Sequence, residues 1–143
     1  MKRITIIEII SYLFIILFVY ASMNKLLDVE TFRVQIGQSP LLTSIAPWIA
    51  WVIPISEILI AVMLSIPRFR LLALYASFTL MIMFTAYIVA VLNFGDNIPC
   101  SCGGVLEKLG WTEHLIFNIG FVLLSLVGIV LHSRIGHKET ALA

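Results

Sequence analysis

The chain has 143 residues, of which 61% are hydrophobic and 12% charged, with a mean hydropathy of +1.08 and a formal net charge of +1. A soluble domain carries about 25% charged residues, so too few charges remain to cover a water-facing surface, and the composition points to an integral membrane protein. The small net charge argues neither for nor against nucleic acid, but the basic cluster or stripe that nucleic-acid binding needs is absent, and two cysteines are too few for a disulfide framework.

Four apolar runs follow in chain order, Ile4–Met23, Trp48–Ile66, Leu71–Leu92 and Leu115–Leu131. Each is near the roughly 20 residues that a helix needs to cross the hydrocarbon of a bilayer. The runs are continuous rather than alternating, which favours helices over barrel strands. "VYAS" at the end of the first run has the small residues of a leader-peptide cleavage site. The run is long enough to span, however, and is read as the first membrane helix. The expected fold is all-α, a single transmembrane domain over residues 1–143 built as a four-helix bundle.

The connections differ in kind. "PRFR" between the second and third runs is short enough to force a tight antiparallel hairpin. The segment from Asn24 to Pro47 is long, and Leu27, Phe32, Ile36 and Leu41 recur in it at mixed helical spacing, interrupted by Gly37 and Pro40. It is expected to form a short amphipathic helix lying on the membrane. Residues 93–113 form the other long connection. With the N-terminus in the cytoplasm, Lys2, Arg3, Arg68, Arg70, Arg134 and Lys138 lie inside, and only Lys25, Arg33 and Lys108 lie outside. That bias predicts both termini inside and both long connections outside. Trp48, Trp51 and Trp111 then all fall at the outer interface.

Both cysteines, Cys100 and Cys102, sit in the second outer loop, within "IPCSCGG". A dithiol passes two electrons by exchange through a mixed disulfide. A bridge between residues i and i+2 closes a small, strained ring and is easily reduced. Gly103 and Gly104 give the backbone freedom to make that turn. A purely structural bridge is the weaker reading, because closing so short a loop removes little chain entropy. A zinc site would need Cys100, Cys102 and His114 with Asp96, Glu107 or Glu113, and there is no second Cys/His pair. No metal is therefore expected. His114 is also a candidate for lowering a thiol pKa, beside a plainer capping or packing role.

Within the spans the outstanding residue is Glu57, in "WVIPISEILIAV", with Pro54 one turn before it. An intramembrane acid is expensive and marks either a functional site or a paired charge. Lys25, at the outer end of the first helix, is the nearest plausible cation. Asn118, about a turn into the fourth helix, is expected to hydrogen-bond across the bundle.

"YASMNKLLDVETF" and "WVIPISEILIAVML" resemble the DoxX-like membrane proteins, and "IPCSCGG" followed by "WTEHLIFNIGFVLL" resembles the MauE branch. The likeness extends from the first helix to the fourth. It implies a four-helix bundle in the bacterial cytoplasmic (inner) membrane that forms or handles disulfides outside the cytoplasm, with a thioredoxin-like or disulfide-containing partner. It also implies a link to a membrane quinone, with Cys100 and Cys102 as the redox pair and Lys25 and Glu57 in the polar positions. This chain has Phe117 where the related pattern has an Arg before the Asn of the fourth helix.

Two functions are expected to compete. One is a thiol–disulfide oxidoreductase passing electrons between an extracytoplasmic dithiol partner and the quinone pool. In it Cys100, Cys102 and Glu57 are catalytic, and Lys25, Glu57 and Asn118 contact the quinone. The other is a non-catalytic membrane anchor or accessory subunit of a larger complex. The first shares its logic with the vitamin K epoxide reductase group, but lacks that group's second cysteine pair.

Overall fold

A computed structural model describes residues 2–37, 42–94 and 110–142. Five α-helices are present among them: α1 (Lys2–Leu27), α2 (Val29–Gly37), α3 (Ala46–Ser65), α4 (Arg70–Phe94) and α5 (Trp111–Leu142). Four of these, all but α2, are long and apolar enough to cross a membrane. The architecture is an all-α membrane bundle, as the apolar runs imply.

The exposed surface has the character expected of a lipid-facing one. Ile16, Leu59, Leu72 and Leu123 are all more than half exposed, a pattern a water-soluble bundle would not tolerate along every helix. Trp48 and Trp51 stand exposed near the start of α3, as residues of an interfacial belt do. The interior is closed by Ile10, Phe14, Phe18, Leu64, Leu74 and Ile129. Gly128 lets α5 approach closely there: a Cβ on it would stand 3.3 Å from Leu74 and 3.5 Å from Ile10.

Helices α3 and α4 are joined by a single 3₁₀ turn, Pro67–Phe69, which makes them an antiparallel hairpin. Pro54 lies inside α3 without ending it. Proline has no N–H, so the carbonyl one turn earlier loses its helical donor. That weakens the backbone one turn before Glu57.

The segment between α1 and α3 forms the short helix expected of it, and α2 is packed against the protein. Phe32 and Ile36 are buried with Ala46 and Ala50 of α3, so its apolar face is spent on the protein. The fourth membrane helix has the shortest apolar run, Leu115–Leu131, yet is the longest of the described helices, with 32 residues. It begins four residues before Leu115 and continues through His132 and His137 to Leu142. Polar helix formers do not stop a helix; they only end its apolar run.

Candidate functional site

The long side chain of Lys25 projects from the last turn of α1 toward α3. There its Nζ lies 2.7 Å from Oε1 of Glu57 and donates a hydrogen bond to it. Glu57 is about 16 Å along α3 from its first residue. Both partners are buried, with Lys25 6% and Glu57 0% exposed. The ammonium also lies 5.3 Å from the centre of the Phe84 ring and 5.7 Å from that of Phe32. Both distances are within cation–π range. One charge is thus held by a carboxylate and two aromatic rings from α2 and α4.

Two cavities meet at Lys25. The smaller, about 30 Å³, is lined by Lys25, Glu57, His114, Phe117 and Asn118 together with apolar residues of α1 and α4. Asn118 and His114 are 2% and 3% exposed. Among the described residues, Glu57 Oε2 and Asn118 Nδ2 have no hydrogen-bond partner. One is an acceptor and the other a donor, and both belong to residues lining the same cavity. Asn118 therefore does not make through Nδ2 the cross-bundle bond expected of it.

The larger cavity is a groove of about 260 Å³ between α2, α3 and α4. Phe32, Ile53, Phe84, Tyr87 and Ile88 are among its walls, and Lys25 contributes the charged group at one side. Met83, more than half exposed, also lines it, so the groove is reached from the face that lipid covers.

Of the residues singled out from the sequence, the structure brings together Lys25, Glu57, Asn118 and His114. Cys100 and Cys102 lie outside the described residues, as do Asp96 and Glu107 of the metal reading. His114 is buried, as its packing role requires. Phe117 lines the small cavity and packs 4.8 Å from Phe121, ring centre to ring centre. Sequence pattern did not single out Phe84 or Tyr87. Both sit in a continuous apolar run that has no periodicity to separate a cavity wall from a lipid-facing residue.

The family model described as methylamine utilisation protein MauE matches residues 3–131. The chain belongs to the MauE family. The match takes in all four apolar runs, Lys25, Glu57 and both cysteines, and so agrees with the resemblance carried by "IPCSCGG" and "WTEHLIFNIGFVLL". Neither the curated proteins nor the solved structures give a significant match. Membership establishes a multi-pass membrane protein of the MauE type, and the chemistry has to be argued from the site.

Proposed function

We propose that this chain is a membrane thiol–disulfide redox protein, passing electrons between an extracytoplasmic dithiol partner and the quinone pool through Cys100 and Cys102. The observation that carries this reading is the lipid-accessible groove with a buried ammonium at its side. A quinone ring is flat and apolar on its faces and has carbonyl acceptors at its edge. The groove offers the matching parts. Phe32, Ile53, Phe84 and Tyr87 supply apolar and aromatic walls. Lys25 has three N–H donors, one of them given to Glu57, and so retains donors for a carbonyl. Bound there, a quinone supplies the capacity to accept two electrons and two protons.

The chain's own part has two components. The first is exchange at the cysteine pair. A partner thiolate attacks one sulfur of the Cys100–Cys102 disulfide, and the mixed disulfide is released by the partner's second thiol. The partner leaves oxidised and the pair reduced. The second is the ion pair, in which Lys25 orients the acceptor's carbonyl and Glu57 holds the ammonium in place and can carry a proton. In the sequence Cys100 and Cys102 fall between the end of α4 and the start of α5, which supports a reading in which thiol chemistry and groove share one end of the bundle. Membership in the MauE family agrees with a redox or maturation role at a membrane.

The test uses the purified full chain in lipid nanodiscs, a thioredoxin-like dithiol and a short-chain quinone. Turnover is followed by quinone absorbance and binding by fluorescence. The double variant Cys100→Ser, Cys102→Ser is expected to lose turnover and keep quinone binding. Lys25→Met is expected to weaken binding about 10- to 100-fold, the worth of one hydrogen bond from a charged donor. Full turnover in the double cysteine variant refutes the redox function and leaves the accessory-subunit reading in its place.

A further inference from the structure

We infer that Glu57 exchanges protons with only one end of the bundle, the end that carries the cysteine loop, by way of the small cavity it shares with Asn118 and His114. The location of the path rests on geometry alone; its use in turnover rests on the redox reading above.

The inference comes from where buried polar atoms lie along the bundle. Toward the cysteine-loop end, Glu57 Oε2 and Asn118 Nδ2 are unpartnered among the described residues and lie more than nine-tenths buried on one cavity. At about 30 Å³ the cavity has room for a water molecule. A water there would donate to Glu57 Oε2 and accept from Asn118 Nδ2, satisfying both groups at once. His114, one turn of α5 nearer the loop, lines the same cavity and carries the next exchangeable nitrogens. Imidazole and amide thus stand on the first two turns of α5, lining the same water-sized space as the acceptor on α3.

Toward the other end the interior is of a different kind. Phe14, Leu64, Leu74 and Ile129 close it. The buried hydroxyls there, of Ser11, Ser77 and Ser125, each donate to a carbonyl of their own helix, Ile7, Ala73 and Val122 respectively. Their protons are committed and they are separated by apolar side chains, so they do not extend the chain of groups that begins at Glu57.

The consequence for turnover is a matter of balance. Oxidation of the partner dithiol forms one disulfide and releases two electrons and two protons on the loop side. The quinone takes up two electrons and two protons. Protons drawn through Asn118 and His114 come from that same side, so no net charge crosses the membrane and the opposite compartment keeps its pH.

The deciding experiment needs no turnover. In a Cys100→Ser, Cys102→Ser background, Asn118→Cys is exposed to silver ion in right-side-out and in inverted membrane vesicles. Protection from later alkylation, after denaturation, reports access. The loop side is identified in parallel by silver reacting with the reduced native pair. Asn118→Cys is expected to react at least tenfold faster from the loop side, which corresponds to about 1.4 kcal/mol of barrier. Ser77→Cys and Ser125→Cys are expected to be slow from both sides. Faster reaction of Asn118→Cys from the opposite side, or none from either, overturns the inference. A second arm uses proteoliposomes given dithiol outside and a pH dye inside. Quinone reduction with a constant lumenal pH supports the path, and lumenal alkalinisation overturns it. Failure of quinone reduction counts against the redox reading, while the silver result still decides the path.

Discussion

Breaking the Lys25–Glu57 pair from each side in turn gives the sharpest energetic test of the site. At 2.7 Å the gross Coulomb attraction is about 6 kcal/mol for an effective dielectric of about 20. Desolvation of two ions consumes most of that, so the pair's net worth is small, while removing one partner leaves a buried charge at a cost of about 3–5 kcal/mol. The two single variants should not be equal. Glu57→Gln leaves the ammonium against the Phe32 and Phe84 rings, whereas Lys25→Met leaves the carboxylate without a cation. Cation–π contacts are worth about 0.5–2 kcal/mol each, so Lys25→Met is expected to be the worse by about 1–2 kcal/mol. The double variant should recover much of the loss, giving a coupling of about 3 kcal/mol, or less if the membrane-unfolded chain finds other partners for the charges. The assay is reversible unfolding of all four proteins by steric trapping in lipid bicelles. Coupling below about 0.5 kcal/mol, the range of independent sites, would refute the reasoning.

Further outcomes follow from the same structure. One of Cys100→Ser and Cys102→Ser should trap a mixed disulfide with an extracytoplasmic thiol protein on non-reducing gels, and the double variant should trap none; a trap in the double variant rules out these sulfurs as the exchanging pair. Gly128→Val should cost about 1–3 kcal/mol by overpacking against Leu74 and Ile10. Gly120→Ala, where a Cβ meets nothing within 4 Å, should stay within about 0.5 kcal/mol, and thermal melts of the two compare them directly. A membrane-impermeant maleimide should label the reduced cysteines of cells whose outer barrier has been opened, and labelling only after the cytoplasmic membrane is broken would reverse the proposed orientation.

The membrane helices were legible because lipid makes the apolar run itself the signal: a spanning helix must bury every backbone group internally and show hydrocarbon all round. The same uniformity hid the groove. Phe84 and Tyr87 cannot be told from lipid-facing neighbours by pattern, because both sides of a membrane helix are apolar. Charges in such a setting are legible for the opposite reason. Glu57 and Lys25 stand out against their surroundings, and the cost of burying either alone predicts that they meet. The orphaned atoms of Glu57 and Asn118 are a property of packing in three dimensions and leave no trace in spacing. Helix ends were missed where polar residues continue the helix, as from His132 to Leu142, since hydropathy reports the membrane boundary and not the hydrogen-bond ladder.

A buried ion pair is weak evidence for stability, because well-packed apolar residues of similar volume often serve as well or better. If the pair only holds α1 against α3, the double variant Lys25→Met, Glu57→Met should fold, reach the membrane and keep quinone turnover. If Lys25 and Glu57 serve the acceptor and its protons, the same variant should unfold within about 2 kcal/mol of the parent and still lose turnover, because the ammonium shared by the two cavities and the carboxylate of the smaller one are both gone. The comparison separates the roles because it removes the charges without stranding either one. Stability from the bicelle assay and turnover from quinone absorbance are read on the same preparation. A stable, fully active double variant would return the pair to packing and take Glu57 and Lys25 out of the chemistry. A stable, inactive one would leave function as the reason this chain keeps two charges inside a membrane.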